Sequence, residues 1–294
     1  DGTPRRAVDM SPLNKFCKRE PHIGKNPFQM AHAIPRNVWK SVQDAWNGYH
    51  GIPIREEDRH LTTFQTPIGM LRYARAPQGA LCSGDGYNQR FDIILSEFDR
   101  VERCVDDAAY WDEDLEAHWW RTIDFLEITG LAGVVLNPKK FQCCKREIEF
   151  AGFHVTDTDV LPLAKYLDAI RNFPTPKNIT DIRAWFGLTN QVAHYAQLRD
   201  LVAPMRPLLK KNAQFEWSPE LNEVFEQSKQ QIVEAIKSGV EIFDKNRTTS
   251  LSTDWSKSGV GYYLNQKHCN CEQKVGPRPC CPDGWRITLA GSRQ

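Results

Sequence analysis

The chain has 294 residues, of which 40% are hydrophobic and 26% charged, a composition typical of globular proteins and sufficient for two domains or several subdomains. Its formal net charge is +1, so the overall charge neither requires nor excludes a nucleic-acid partner. The sequence has no apolar run that predicts a membrane span, and its nine cysteines form no disulfide framework, which favours a reducing, intracellular setting.

The first segment with a readable pattern is a strand near residue 40. Alternate residues from Val38 to Asp44 share one face, as side chains of a strand do, so Asp44 is predicted at the strand's end. The Asn-Gly pair at 47–48 breaks this strand, and residues 49–54 are expected to be extended again. Residues 61–73 have the pattern of a hairpin.

Two helices are predicted on either side of the next feature. Apolar residues recur at helical spacing from Tyr87 to Phe98. A second helix is predicted over residues 113–129, with Gly130 at its C-terminal end. Its apolar residues share one face and are Leu115, Trp119, Ile123 and Leu126.

Between these helices lies a pair of adjacent acids. Residues 101–104 and 108–111 have the pattern of two strands, so Asp106 and Asp107 are expected in a tight hairpin turn. Neighbouring carboxylates repel each other and need a compensating partner near the interior, and a divalent cation is such a partner. Together with Asp44, the pair is interpreted as one metal site. The competing interpretation is a polar turn without any bound ion.

The rest of the chain predicts strands, then helices, then strands again. Strands are indicated within residues 141–155, and residues 161–236 have a helical pattern punctuated by prolines. The clearest helix begins with Ser218 as its N-cap and Pro219 at its first position, and its apolar stripe is typical of core packing. Residues 251–264 have the pattern of a hairpin that opens a new β-containing domain.

Five motifs in this order resemble the reverse transcriptases of gypsy-like LTR retrotransposons and, more distantly, of retroviruses. They are Asp-Ala-Trp-Asn-Gly-Tyr-His at 44–50, Ala-Pro-Gln-Gly at 76–79, Cys-Val-Asp-Asp at 104–107, Leu-Asn-Pro-Lys-Lys-Phe at 136–141 and Phe-Ala-Gly-Phe at 150–153. Farther on, residues 186–190 resemble the connector, and residues 252–256 resemble the first strand of a ribonuclease H-like domain. The resemblance covers nearly the whole chain and implies an RNA-directed DNA polymerase.

The resemblance implies an α+β fold of the right-hand polymerase type, with an antiparallel palm sheet, followed by the start of a ribonuclease H-like α/β domain. Fingers and palm are expected over residues 1–160, thumb or connection helices over 161–240, and the truncated ribonuclease H-like part over 241–294. We expect the chain to be a fragment, because the fingers strand that carries a triphosphate-binding lysine in the family would precede Asp1.

The reaction that the resemblance implies is phosphoryl transfer assisted by two metal ions. Asp44 and Asp106 would hold both ions, Asp107 would complete the acidic site, and the backbone carbonyl of Ala45 would contact the metal on the nucleotide side. Mg²⁺ is the natural candidate, with Mn²⁺ as an alternative, because these ions prefer carboxylate, water and phosphate oxygens. The implied partners are a primer on an RNA or DNA template and deoxynucleoside triphosphates.

Other residues receive roles from the same motifs. Tyr49 resembles the residue that stacks beneath the incoming sugar and excludes a 2′-hydroxyl, and Gln78 resembles the side chain that contacts that sugar. Arg5 resembles the arginine that neutralises the triphosphate. Lys140, or its neighbour Lys139, would assist the leaving pyrophosphate as a general acid. Without the motifs, Tyr49 is interpreted as a core tyrosine and Arg5 as a surface arginine.

Two further sites are incomplete. Only Asp254 matches the ribonuclease H-like motif, so hybrid cleavage is expected of a parent protein and not of this chain. Zinc is disfavoured near the C-terminus because the ligand spacings differ from those of zinc knuckles; the residues are His268, Cys269, Cys271, Cys280 and Cys281. Two alternatives stay open: a catalytically incomplete or domesticated fragment that only binds nucleic acid or protein, and a template-dependent polymerase of another class.

Overall fold

The structure is a computed structural model that describes residues 8–19, 21–22, 24–195, 198–210, 213–256, 259–269 and 284–293. The chain divides into two compact units. The first comprises Asp1–Met30 and Val38–Ile148, and the second comprises Ala31–Asn37 and Glu149–Gln294. The predicted subdomain boundaries at residues 160 and 240 stay predictions.

The first unit combines one four-stranded sheet, one hairpin and several helices. Its elements are α1 (Ser11–Asn14), α2 (Pro27–Ala33, which ends in the second unit), β1 (Trp39–Asp44), β2 (Phe64–Thr66), β3 (Gly69–Leu71), α3 (Leu81–Ile94), β4 (Val101–Cys104), β5 (Asp107–Asp112), α4 (Leu115–Leu131) and β6 (Gln142–Lys145), with 3₁₀ helices over Gly48–Gly51 and Glu56–Thr62.

The main sheet of this unit has the order β4-β5-β1-β6, and every neighbouring pair is antiparallel. Aromatic side chains from α3, α4 and β5 form the core beside it. Phe125 of α4 stacks on Tyr110 of β5 with ring centroids 4.7 Å apart, and Phe98 packs edge-on against Phe125 at 5.4 Å. The Asp114 carboxylate accepts a hydrogen bond from the Ala117 amide at 3.0 Å, which caps the start of α4.

Several sequence-based expectations for this unit need correction. Residues 48–51 form a 3₁₀ helix, so the expected extended segment is wrong there. α4 ends at Leu131, beyond Gly130, and Gly133 has the left-handed φ of +74°. The hairpin is confirmed but shorter than expected, because residues 61–62 belong to the second 3₁₀ helix.

The second unit contains two antiparallel sheets and a group of helices. Its elements are β7 (Ile148–Phe150, which begins at the last residue of the first unit), β8 (Phe153–Val155), β9 (Asp159–Pro162), α5 (Ala164–Arg171), α6 (Ile179–Gln191), α7 (Arg199–Val202), α8 (Pro219–Ile236), β10 (Val240–Glu241), β11 (Thr249–Ser256), β12 (Gly259–Lys267) and β13 (Trp285–Arg293), with a 3₁₀ helix over Ala203–Leu209. The sheet orders are β10-β9-β8-β7 and β11-β12-β13.

The predicted start of α8 is confirmed. The Ser218 hydroxyl accepts a hydrogen bond from the Leu221 amide at 3.2 Å, and Pro219 occupies the first helical position. Phe225 of this helix is fully buried and lies 5.0 Å from Trp185 of α6 between ring centroids. The mixed helix-and-sheet class with antiparallel sheets is therefore as predicted. Among the described helices, none has the length and apolarity needed to cross a bilayer.

Candidate active site

The pairing of β1 with β5 brings together acids that are more than sixty residues apart in sequence. Asp44, the last residue of β1, is the register partner of Asp107, the first residue of β5. The Ala45 amide donates a hydrogen bond to the Asp106 carbonyl at 2.8 Å, which continues the pairing beyond the strands. Asp44, Asp106 and Asp107 are thus gathered at one end of the main sheet.

Asp106 lies in a two-residue hairpin turn between β4 and β5. Cys104 pairs with Asp107, so only Val105 and Asp106 form the loop. Val105 has a φ of +55°, a left-handed conformation that is strongly disfavoured for a β-branched side chain. A strained residue persists only where the surrounding structure holds it.

Arg103 is the side chain that holds this turn. Its guanidinium donates to the Val105 carbonyl at 2.9 Å and to the Asn88 side-chain oxygen at 2.9 Å. It also donates to Asp92 Oδ1 from Nε at 2.8 Å. Because Asn88 and Asp92 lie on α3, these bonds tie the turn to that helix. Arg103 was not predicted from the sequence, because its partners on α3 are eleven to fifteen residues away and no motif includes it.

Burial and mutual repulsion make the acids hard to ionise. Burial, followed by the negative charge of Asp44, raises the pKa of Asp107 to about 6. The same two causes raise the pKa of Asp106. Such a site favours a proton or a bound cation over two free carboxylates.

Lys140 supplies one positive charge to the site. Its ammonium lies 2.7 Å from Asp44 Oδ2, and this hydrogen bond raises the pKa of Lys140. The neighbouring Asn137 amide donates to the Asp44 carbonyl at 2.8 Å, which aligns the 136–141 motif with the end of β1. The side chain of Lys139 is exposed. Its backbone amide donates a hydrogen bond to the Asn137 side-chain oxygen at 3.1 Å.

The donor chemistry fits Mg²⁺, which prefers carboxylate oxygens and keeps several waters. The raised pKa of Asp107 indicates an unmet need for positive charge. The described part of the chain nevertheless holds no group of three or more His, Cys, Asp or Glu side chains already arranged around one ion position. At Asp44 the Lys140 ammonium contacts Oδ2, an oxygen that an ion would also use.

Tyr49 lies beside the acids on the first 3₁₀ helix. Burial and then the charge of Asp106 raise its pKa, and its ring contacts Tyr87 edge-on with centroids 5.5 Å apart. Gly48 fits closely over the same Tyr87 ring, because a Cβ at residue 48 would lie 2.5 Å from two ring carbons. Tyr87 of α3 therefore supports both the residue that precedes Tyr49 and Tyr49 itself. The sequence analysis treated Tyr87 only as part of a helical stripe.

The remaining predicted residues are spread more widely. Gln78 is exposed in the turn before α3, and Gly79 beside it has a φ of +89°. Asp254 is exposed on β11, where it pairs with Gly261. Arg5 lies outside the described residues.

The cysteine-rich segment also falls largely outside the described residues, which include His268 and Cys269 but not Cys271, Cys280 or Cys281. The His268 ring nitrogen Nδ1 lies 3.2 Å from Glu241 Oε1. That zinc is disfavoured at these residues stays a prediction.

Comparison with known proteins gives three kinds of match. Residues 5–155 match the family model described as "Reverse transcriptase (RNA-dependent DNA polymerase)". The Tf2-3 transposon polyprotein of Schizosaccharomyces pombe is 28% identical over 273 residues, which are 91% of this chain and 20% of that protein. The Tf2-7 polyprotein of the same yeast is 27% identical over the same share. The chain thus spans about a fifth of the length of these curated relatives.

The fold is also similar to solved structures. A foamy viral protease-reverse transcriptase in complex with double-stranded DNA superposes with a TM-score of 0.84 at 20% identity, over 99% of this chain and 49% of the other. A second structure of that viral protein, in complex with an RNA/DNA hybrid, has a TM-score of 0.77 at 20% identity, over 98% of this chain and 37% of the other. At this identity the likeness concerns the fold.

Proposed function

Because the chain belongs to the reverse transcriptase (RNA-dependent DNA polymerase) family, we propose that it adds deoxynucleotides to a primer paired with an RNA or DNA template. One observation carries the proposal: strand pairing gathers Asp44, Asp106 and Asp107 at one end of the main sheet. Hard carboxylate ligands from two segments are what two-metal nucleotide addition requires.

In this proposal the three carboxylates hold Mg²⁺, with Mn²⁺ as an alternative. Bound Mg²⁺ would supply activation of the primer hydroxyl and compensation of charge on the leaving pyrophosphate. The Lys140 ammonium must then leave Asp44, and the protonated side chain would be free to give a proton to the leaving pyrophosphate. The Ala45 carbonyl lies next to Asp44 and would contact the same ion.

The nucleotide side of the site is assigned to Tyr49, Gln78 and Arg5. Tyr49 is packed on Tyr87, so its ring is held in place and would collide with a ribose 2′-hydroxyl. Replacing Tyr49 with alanine is expected to admit ribonucleotides. Gln78 would contact the sugar, and Arg5 would neutralise the triphosphate.

The template and primer would be bound mainly through their phosphates and their A-like shape, with little reading of bases. Support comes from the foamy viral relative in fold, whose structures contain double-stranded DNA or an RNA/DNA hybrid. The ribonuclease H-like part, with Asp254 as a single acid, carries no proposed activity of its own.

The test is primer extension on poly(rA) annealed to oligo(dT), with deoxythymidine triphosphate and Mg²⁺. We expect extension by the chain, loss of extension to background in Asp106→Asn, and normal extension in the matched control Asp168→Asn, an exposed acid on α5. Equal activity of Asp106→Asn would refute the mechanism.

A second measurement separates the nonenzymatic alternative. Binding of the labelled hybrid is followed by fluorescence anisotropy in the same samples. Tight binding without extension, in the presence of either Mg²⁺ or Mn²⁺, would favour a catalytically incomplete chain that only binds nucleic acid. Extension on a DNA template with none on RNA would favour a polymerase of another class.

A further inference from the structure

α4 presents its apolar side to solvent and its polar side to the core. Its buried positions include His118, Thr122 and Thr129, and only Phe125 among the fully buried side chains is apolar. The apolar residues spaced by four, four and three lie outward, with exposed fractions of 45% for Leu115, 50% for Trp119, 37% for Ile123 and 39% for Leu126. A helix on a globular surface normally shows the opposite arrangement.

These four residues, called the α4 stripe below, form a continuous ridge. Leu126 is eleven positions after Leu115, so the ridge is roughly 16 Å long at 1.5 Å per residue. Trp120 adds a further exposed aromatic ring, 60% accessible, on the adjoining side of the helix. Single exposed apolar residues are ordinary, whereas a contiguous exposed patch with a polar border is typical of an interaction site.

Negative charge borders the stripe. Trp120 shares a cavity of about 410 Å³ with Glu97, Asp124 and Glu127, three acids that have no ion-pair partner among the described residues. Among the described residues that line the cavity, the one cation is Arg121, and its guanidinium is already engaged at 2.6 Å with Asp99 and at 2.6 Å with Asp112. Glu97, Asp124 and Glu127 are called the acidic rim.

This combination selects one class of partner. A nucleic-acid backbone would be repelled by the acidic rim, so the face is unsuited to the template. Lysine and arginine would be attracted both to the rim and to the exposed faces of the tryptophans. A straight apolar ridge fits the groove side of another helix.

We propose that the α4 stripe and the acidic rim form a docking surface for a positively charged amphipathic helix of a partner protein. The apolar side of that helix covers the stripe, and its lysines or arginines lie over the rim. The surface lies entirely within the first unit, and it acts independently of nucleotide addition.

Peptide binding tests the proposal. The probe is a fluorescein-labelled 18-residue peptide of leucine and lysine at helical spacing, compared with a scrambled peptide of the same composition and with a leucine–glutamate version. We expect the patterned basic peptide to bind, and to bind more weakly as salt is raised, while both comparison peptides bind at least about tenfold more weakly. Equal binding of the scrambled or acidic peptide overturns the proposal.

Variants locate the binding. Trp119→Ala with Ile123→Ala is expected to weaken the peptide at least about tenfold. Asp124→Asn with Glu127→Gln, which leaves the apolar ridge intact, is expected to weaken it several-fold and to reduce its salt dependence. Trp255→Ala, which removes an exposed tryptophan of β11, is the matched control and should bind normally. Unchanged binding in both α4 variants overturns the proposal.

Two further experiments test whether nucleic acid or a second copy of the chain occupies this surface instead. If an RNA/DNA hybrid displaces the peptide, the surface serves nucleic acid and the proposal is wrong. If the chain alone forms a dimer in sedimentation that Trp119→Ala abolishes, the occupant is a second copy and the proposal is also wrong. Circular dichroism checks that each variant is folded, and primer extension is expected to be unchanged in the α4 variants.

Discussion

At the scale of single residues, Asp107 occupies a position that disfavours its own charge. Burial and the charge of Asp44 raise its pKa to about 6, against an unperturbed value of about 3.9. Between these values the folded chain without a bound cation holds a proton that the unfolded chain has released. Stability therefore falls as pH rises through this range, and the loss persists at neutral pH.

Asp107→Asn is accordingly expected to raise the Tm of the chain by a few degrees at pH 7.5 in the presence of a chelator, because the amide has no charge to bury. Mg²⁺ should raise the Tm of the original chain more than that of the variant, since the ion supplies the missing positive charge. Differential scanning fluorimetry measures both shifts. Asp124→Asn, on the exposed side of α4, is the control, and an equal Mg²⁺ response in Asp107→Asn would argue against Asp107 as a ligand.

Arg103 fixes the position of the acidic turn, although it lies outside the five family motifs. One of its bonds reaches the Val105 carbonyl in the turn, and three others reach Asn88 and Asp92 on α3. Together they need the planar fork of a guanidinium. Arg103→Lys keeps the charge but loses this geometry.

For Arg103→Lys we expect kcat for primer extension to fall at least about tenfold while KM for the nucleotide changes little, because the Asp106 turn is no longer held in one position. Stability should fall by about 1–3 kcal/mol, a modest figure because Asp92 is half exposed and is left partly solvated. Arg90→Lys, an exposed change on α3, should alter neither quantity. A variant with lowered stability and unchanged kcat would limit Arg103 to a role in folding.

At the scale of elements, the polar side of α4 is buried because side chains of the main sheet supply hydrogen-bond partners for it. Ser41 Oγ of β1 lies 2.8 Å from His118 Nε2, and His118 Nδ1 lies 3.3 Å from Asp112 Oδ2 of β5. A series of contacts from serine to histidine to aspartate also occurs in the catalytic triad of hydrolases. All three side chains are buried, so this group links α4 to the sheet rather than meeting a substrate.

The buried histidine predicts an acid sensitivity. Burial lowers the pKa of His118 below its usual 6.5, although Asp112 opposes the shift. The unfolded chain therefore binds a proton before the folded chain does. The contribution of His118 to stability is present above about pH 6.5 and is lost as pH falls through the lower folded pKa.

We expect the Tm of the chain to fall between pH 7 and pH 5 more steeply than that of His118→Gln, whose side chain cannot take up a proton. Thermal denaturation of both proteins across this range gives the difference directly. Burial also lowers the pKa of His32 and of His194, and those groups cancel in the comparison because both proteins retain them. Parallel pH profiles would show that His118 does not titrate on unfolding.

Elements that depend on neighbouring residues could be predicted from the sequence, whereas elements that depend on distant contacts could not. The N-cap of α8 depends on residues next to one another, so Ser218 and Pro219 identified it in advance. The period of α4 was also readable, but its inward face depends on Ser41 and Asp112, which no local pattern connects to the helix. The 3₁₀ helix at Tyr49 likewise follows from packing on Tyr87.

At the scale of the whole molecule, the family motifs are concentrated in one of the two units. Four of the five motifs lie in the first unit, and so does the gathered acidic site. The motifs therefore predict which acids are gathered in the first unit. No motif predicts the ion-pair network of the second unit, which joins Arg36, β10, Arg247, His268 and Arg286.

Glu241 is the centre of that network. Its carboxylate is 1% exposed, and Oε1 lies 2.7 Å from Arg36 and 2.8 Å from Arg247. Burial alone would raise the pKa of Glu241, but Arg36, Arg286 and the neighbouring cations lower it overall. Removing this charge takes from Arg36 the carboxylate that it contacts in a largely buried place, which is more costly than losing a surface pair.

Glu241→Gln should destabilise the second unit by about 3 kcal/mol, whereas Glu234→Gln, which alters an exposed pair on α8, should cost less than about 1 kcal/mol. Hydrogen exchange followed by mass spectrometry resolves where the loss occurs. Peptides from residues 149–195 and 219–256 are expected to exchange faster in Glu241→Gln, and peptides from residues 81–131 to keep their protection. Equal acceleration in both sets would mean that the two units unfold as one cooperative body, since only then does a defect around Glu241 reach α3 and α4 of the first unit.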